Sequence, residues 1–427
     1  MRLCRTVVFV QAQGRVERSV AAAIALRDEV MSWVDRRRRE EAFRRFGNHL
    51  DAIAIVFPRM LDGILSALDR ASLLGSSGKV YERCRELDDS LVVVRRAYEW
   101  YAMKYDQRLD RRLADGLRAA DEIVRSCWHS VFELRGIASP AGPLPYFDAR
   151  FDSYTTSRRA APLQIKAPAD APFDDLVEAL PIPVTALPLW ATAESWWLVL
   201  AAHETGHHVQ ADLGLDSQTR AVLAPGWAGW SRELFADTFS VLMVGAAAIT
   251  PVQELEHATP RRMMAAPEPG DLYPPPLVRL AILGELAGIP RIAAGELAGI
   301  PKADEVAATA LTPYLDAVPA TCAALLEMLK DLRPAWDAQR VAVWQHRLRT
   351  KDPVLSGLGT RAAARYLIAA GVIAYAEATA AERQTVHENL LRFLPECGPP
   401  GTLGSALAPT DIAALADRLT VTLVRDA

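Results

Sequence analysis

Apolar side chains recur at helical spacing toward both ends of this chain, and the pattern breaks up in between. Val16, Val20, Ala23, Leu26, Val30 and Trp33 fall three or four residues apart, as do Leu91, Val94, Ala97, Tyr98 and Tyr101. Each set gives one apolar helix face, so residues 15–135 are predicted to be largely helical. The clearest break is Gly75-Ser76-Ser77-Gly78. From Ile137 to Trp190 proline and alanine multiply, leaving short extended candidates at 144–154, 163–165 and 183–187. Pro183-Val184-Thr185-Ala186-Leu187-Pro188 is expected either as the edge of a small sheet, where flanking prolines are tolerated, or as a proline-bounded connector. Two apolar helical tracts follow, one over residues 193–202, free of proline and glycine, and one over residues 230–240. Past Ala303 helical patterning returns, interrupted near Arg333-Pro334 and over 353–359 and 395–404. Gly284-Glu285-Leu286-Ala287-Gly288-Ile289-Pro290 recurs as Gly295-Glu296-Leu297-Ala298-Gly299-Ile300-Pro301, a local duplication with no chemistry attached.

The pattern predicts an α+β protein, predominantly helical, with a small sheet near its middle. Its expected regions are N-terminal helices over 1–136, a core over 137–285 and C-terminal helices over 286–427. Composition adds limits. At 51% apolar residues and a net charge of −4, the chain suits neither a nucleic-acid nor a membrane-surface partner. The run Asp35-Arg36-Arg37-Arg38-Arg39-Glu40-Glu41, with Arg44 and Arg45, is laced with acids and is expected as a solvated helix face. Uninterrupted apolar runs such as residues 241–249 are too short to span a bilayer. The apolar stretch Thr6-Val7-Val8-Phe9-Val10 is short and turns polar from Gln11, so it is not expected to serve as a signal-peptide core. Cys4, Cys84, Cys127, Cys322 and Cys397 form no CxxC pair and are expected as reduced thiols of a cytoplasmic protein.

Chemistry concentrates at His203-Glu204-Thr205-Gly206-His207. On a helix, residues four apart share a face, so both imidazoles can reach one metal ion while Glu204 sits beside it. His208 points about 100° away around the helix and is not expected to join them. Hydrolytic zinc needs a third protein ligand and an open position. Glu233 is the candidate for that ligand. Asp237, again four residues on, would accept a hydrogen bond from a ligand imidazole. A competing account treats the two acids as helix N-terminal charges favoured by the macrodipole; it suits Glu233 better than Asp237. Pro225-Gly226-Trp227 offers the turn that could bring Glu233 back to the histidines, and Gly206 leaves room for a close neighbour.

HExxH followed by Glu233-Leu234-Phe235-Ala236-Asp237 resembles the gluzincin metallopeptidases, whose second motif supplies the third zinc ligand through its Glu. Tyr273-Pro274-Pro275-Pro276-Leu277-Val278-Arg279 resembles the HPPxxxR element of CAAX-prenyl-type and heat-shock-type membrane peptidases and of soluble minigluzincins. Here Tyr273 stands where that pattern has His. The likeness runs from about Ile182 to Leu283 and implies a zincin-like core holding Zn2+ on His203, His207 and Glu233. Tyr273 is expected either to donate to an oxyanion or to pack beside the proline turn. Arg279 is expected as a substrate contact or a structural ion-pair partner.

These features imply a zinc metalloendopeptidase with Glu204 as general base. Its substrate would be a peptide or a restricted set of proteins, with the helical regions open to a regulatory protein partner. The alternative is a helical regulatory or interaction protein whose metal site is structural or vestigial.

Overall fold

The computed structural model describes residues 2–149, 155–156, 180, 182–268, 270–289, 310–405 and 408–424, with side chains from residue 11 onward and none for Thr155 and Thr156. The extended candidate at 163–165 and the second copy of the duplicated heptapeptide lie outside the described residues. The chain is predominantly helical with one small sheet. Its contacts group into two compact units: Met1–Gln107, Arg158–Pro183 and Gly401–Ala427 in one, Arg108–Ser157 and Val184–Pro400 in the other.

In the first unit, α1 (Arg2–Arg38), α2 (Gly47–Ser72) and α3 (Ser77–Asp106) pack on one another, and the C-terminal helix (Pro409–Leu423) lies against α2. The apolar faces read from the sequence meet in the core, where Leu26, Val30, Phe57, Met60, Ile64 and Val94 are buried. The break between α2 and α3 falls at the glycine–serine tract, and Ser76 caps α3 by accepting from the Lys79 N–H. The arginine run is not uniformly solvated. Arg37 is buried, donates to both carboxylate oxygens of Asp106 at 2.7 and 3.0 Å, and lies over the Trp33 ring. Glu40, three residues on, accepts from its Nη1 at 2.9 Å, and Asp106, 69 residues away in sequence, supplies the second anion that makes burial of this guanidinium tolerable.

The second unit contains α4 (Ala114–Leu134) and a sheet of β1 (Leu144–Asp148), β2 (Thr155–Thr156) and β3 (Val184–Pro188) in the order β1-β3-β2. β1 runs parallel to β3, with Leu144 opposite Val184 and Asp148 opposite Pro188, and β2 runs antiparallel to it. The expected edge strand is therefore the middle one. Pro183 precedes the ladder and Pro188 ends it, so neither proline removes a donor from the interior rungs, and strand ends tolerate proline in any position of the sheet.

Then come α5 (Leu200–Asp212), α6 (Asp216–Val222), α7 (Ser231–Val244), α8 (Ile249–Glu256), the short α9 (Pro260–Met263) and α10 (Pro276–Leu286). They are followed by α11 (Thr312–Met328), α12 (Ala338–Leu348), α13 (Ala363–Glu377) and α14 (Ala380–Phe393). The tract before α5 is not the α-helix its composition suggests. Residues Ser195–Val199 form a 3-10 turn, anchored where Glu194 accepts from the Trp197 indole at 3.1 Å and the Tyr375 hydroxyl at 2.8 Å.

The stretch Ala228–Glu256 is long and apolar enough to cross a membrane, but 78% of its most apolar window is buried inside the protein. It is not one rod. Gly245 adopts φ +62°, ψ −147° and ends α7 there, a conformation essentially reserved for glycine. Cys84, Cys127, Cys322 and Cys397 are buried free thiols.

Candidate metal centre

Two neighbouring helices build the site. α5 carries His203, Glu204 and His207, and α7 carries Glu233 in its first turn and Asp237 one turn on. A corner at α6 returns the chain. There Gln210 donates to the Thr219 hydroxyl at 3.2 Å, and that hydroxyl donates to the Leu215 carbonyl at 2.7 Å. Gly206 sets the helix separation. A Cβ at that position would lie 3.0 Å from the Ala236 Cα and 3.1 Å from the Phe239 Cβ, so α7 sits where any side chain would stand. From the other flank His208 fixes α5 to β3, its Nε2 lying 3.1 Å from both the Val184 carbonyl and the Thr185 hydroxyl. It turns away from the other two imidazoles and takes no place among the candidate ligands.

His203 Nε2 lies 3.3 Å from Glu233 Oε2, and His207 Nε2 lies 3.6 Å from Glu233 Oε1. One donor atom from each of the three residues falls within 4.8 Å of the others, and all three side chains are at least largely buried. This cluster could hold a metal ion. Ligands about 2.0–2.2 Å from a tetrahedral zinc stand roughly 3.4 Å apart, and the two contacts match that spacing. Buried atoms without hydrogen-bond partners collect here as well, Glu204 Oε2 and His207 Nδ1 among them. Two imidazoles and a carboxylate are a donor set suited to zinc.

Behind the cluster, Asp237 Oδ1 approaches His203 Nδ1 at 3.0 Å, which leaves Nε2 facing Glu233. Arg279, from α10, donates through Nε to Asp237 Oδ2 at 2.8 Å and through Nη2 to Asp237 Oδ1 at 2.9 Å. Its Nη1 donates to Glu256 at 2.9 Å. Of its two expected roles, this geometry fits the structural one. The Tyr273 ring, half-buried, lies 5.0 Å from the same guanidinium carbon. The proline element thus brings Arg279 to the back of Asp237 and the Tyr273 ring against Arg279.

The charges answer one another. Burial alone would push His203 down, but the neighbouring Asp237 and Glu233 outweigh it and hold the imidazole well above its ordinary range. Burial pushes His207 below that range. Glu233 and Asp237 sit below the usual carboxylate range, because the imidazoles and Arg279 overcome the desolvation that opposes ionisation. Glu204 differs. Burial dominates, and the charge of Glu233 adds to it, so its carboxyl is pushed up to about 7. A buried carboxyl poised near neutrality beside a candidate metal cluster can take up and release a proton.

Two further residues border the site that sequence reasoning passed over. Tyr146 on β1 is buried, and its phenol is pushed up by burial and by the charges of Asp148 and Glu204. Exposed Arg232 precedes Glu233 and is felt by both Glu204 and His207. Neither belongs to a motif, and nothing in the local sequence signals either. No family model, curated protein or solved structure matches this chain.

Proposed function

We propose that the protein is a zinc-dependent endopeptidase of gluzincin type, with a zincin-like core made of the three-stranded sheet, α5 and α7. The observation that carries this reading is the convergence of His203, His207 and Glu233 beside a buried Glu204 carboxyl pushed up to about 7. A zinc ion held by the three ligands would supply a Lewis acid for the scissile carbonyl and would acidify water. Glu204 takes the proton from water as its oxygen adds to the peptide carbon, then gives it to the departing amine as the C–N bond breaks. Asp237 keeps the His203 ring in its tautomer, and Arg279 holds Asp237 charged. The substrates are peptides or a restricted set of proteins. Buried free thiols suit a cytoplasmic setting.

A structural metal site in a helical regulatory protein is the competing account. The burial of His203, His207 and Asp237 favours it, whereas Glu204 has no use there. Metal analysis and peptide hydrolysis on purified wild type and Glu204→Gln separate the two. Stoichiometric zinc in both, with hydrolysis in wild type alone, is expected. Zinc in both with hydrolysis in neither leaves the structural account standing, and zinc in neither removes the site.

A further inference from the structure

The C-terminal end of α7 lines a second concavity, remote along that helix from Glu233. A cavity of about 420 Å³ opens between the end of α7, the 3-10 turn after it, the end of α10 and the first half of α12. Its wall is apolar, with Val241, Val244, Leu286, Leu326, Val341 and Ile373 among the lining residues. Trp336 shares the lining and lies against Gly245, 3.0 Å from where a Cβ would stand, while keeping 40% of its surface exposed. Only two polar side chains join the lining, Arg333 and Gln345. Arg333 is exposed and makes no ion pair among the described residues.

A cavity of this size and lining accords with a small-molecule site, in which apolar walls take the bulk of a ligand and a few polar groups fix one end. The polar groups here are the Arg333 guanidinium, purely a donor, and the Gln345 amide, whose Nε2 already donates to Glu377 Oε2 at 2.8 Å. A guanidinium at the mouth recognises a carboxylate through charge-assisted hydrogen bonds. We infer that this cavity binds a single-chain amphiphile with a carboxylate head, the head on Arg333 and the tail along Val241, Val244, Leu286 and Leu326. An uncharged amphiphile of equal length would leave Arg333 without a partner, and a short carboxylate would leave the walls wet.

The test is calorimetric titration of the full-length protein with octanoate, octanol and acetate. Octanoate is expected to bind saturably at one site and to raise the melting temperature with concentration. Arg333 is exposed, so its pairing with the carboxylate is screened by solvent and octanol should bind up to about fivefold more weakly. Arg333→Gln should lose the same factor for octanoate and nothing for octanol. Ala342→Trp, at an exposed helix position on the lining, should block both ligands while circular dichroism stays native. Equal affinity for octanoate and octanol overturns the assignment, as does octanoate binding that survives Ala342→Trp. A dimer that octanoate does not compete with, and that Ala342→Trp abolishes, assigns the cavity to a second copy of the chain and overturns it too.

Discussion

Arg279 grips both carboxylate oxygens of Asp237, and one of these, Oδ1, also lies 3.0 Å from His203 Nδ1. The guanidinium therefore sets the position and charge of the group that orients a candidate metal ligand. The same guanidinium also reaches a candidate ligand directly, its Nη2 lying 3.8 Å from Glu233 Oε2.

Removing one partner of a buried ion pair leaves the other charge stranded, at a cost of about 3–5 kcal/mol. Arg279→Met is expected to lose stability on that scale in urea or thermal unfolding. Its zinc affinity should fall about 10–100-fold, as for other groups that orient metal ligands. Adding Asp237→Asn to Arg279→Met removes the stranded anion and should restore part of the stability but none of the affinity. A double variant no more stable than Arg279→Met alone would show that the cost arises elsewhere, at Glu256 or the Tyr273 ring.

Gly206→Ala sets two effects against each other. Alanine favours a helix by about 1 kcal/mol, yet its methyl would meet the Ala236 backbone at 3.0 Å and the Phe239 Cβ at 3.1 Å. Neither neighbour can rotate away, so overpacking, at about 1–3 kcal/mol, should win. Two candidate ligands lie on α5 and the third on α7, so parting the helices should also weaken metal binding. Competition with a chelator measures this. Unchanged zinc affinity together with an unchanged melting temperature would mean that the helices separate without consequence.

These residues also show what the sequence makes legible. Residues four apart on a helix share a face whatever the fold, so His203 with His207 and Glu233 with Asp237 can be paired by spacing alone. Their meeting across the α6 corner is a tertiary fact, signalled only by the burial that carboxylates in an apolar helix demand. Sheet order carries no such signal. The proline-bounded strand fits the centre as well as the edge, because its prolines fall at its ends. Nor is there a local cue that Arg37 would find Asp106, that Glu256 would join Arg279, or that Tyr146 would share the field of Glu204. Those partners are separated by tens of residues and brought together by packing.

The pH dependence of stability should bear the mark of Glu204. Its carboxyl is raised from an ordinary 4.5 to about 7 in the folded protein, so the unfolded chain ionises first as pH rises. Stability from this group is therefore full below about 4.5, falls between 4.5 and 7, and stays at its lowest above. One pKa unit is 1.36 kcal/mol, giving a loss on the order of 3 kcal/mol. In chelator-treated protein the Glu204→Gln variant should lack this decline, so the gap between the two unfolding curves should widen from pH 4.5 to 7. Parallel curves across that window would mean that the Glu204 carboxyl stays ionised in the folded protein.

Tyr273 stands where the resembling families carry histidine, and its ring lies over Arg279. A cation–π contact of this kind uses the ring face and is indifferent to the hydroxyl. Tyr273→Phe keeps the face, so zinc content and melting temperature should be preserved. Turnover should fall by less than about threefold, against the 10²–10³ expected from losing an oxyanion donor. Tyr273→Ala removes the face and uncovers a guanidinium that is otherwise buried. It should lower the melting temperature, and through Arg279 and Asp237 it should weaken zinc as well. The two substitutions together separate ring from hydroxyl. A hundredfold drop in turnover for Tyr273→Phe at full zinc occupancy would place the hydroxyl on the reacting carbonyl, and the stacking on Arg279 would then serve to aim it.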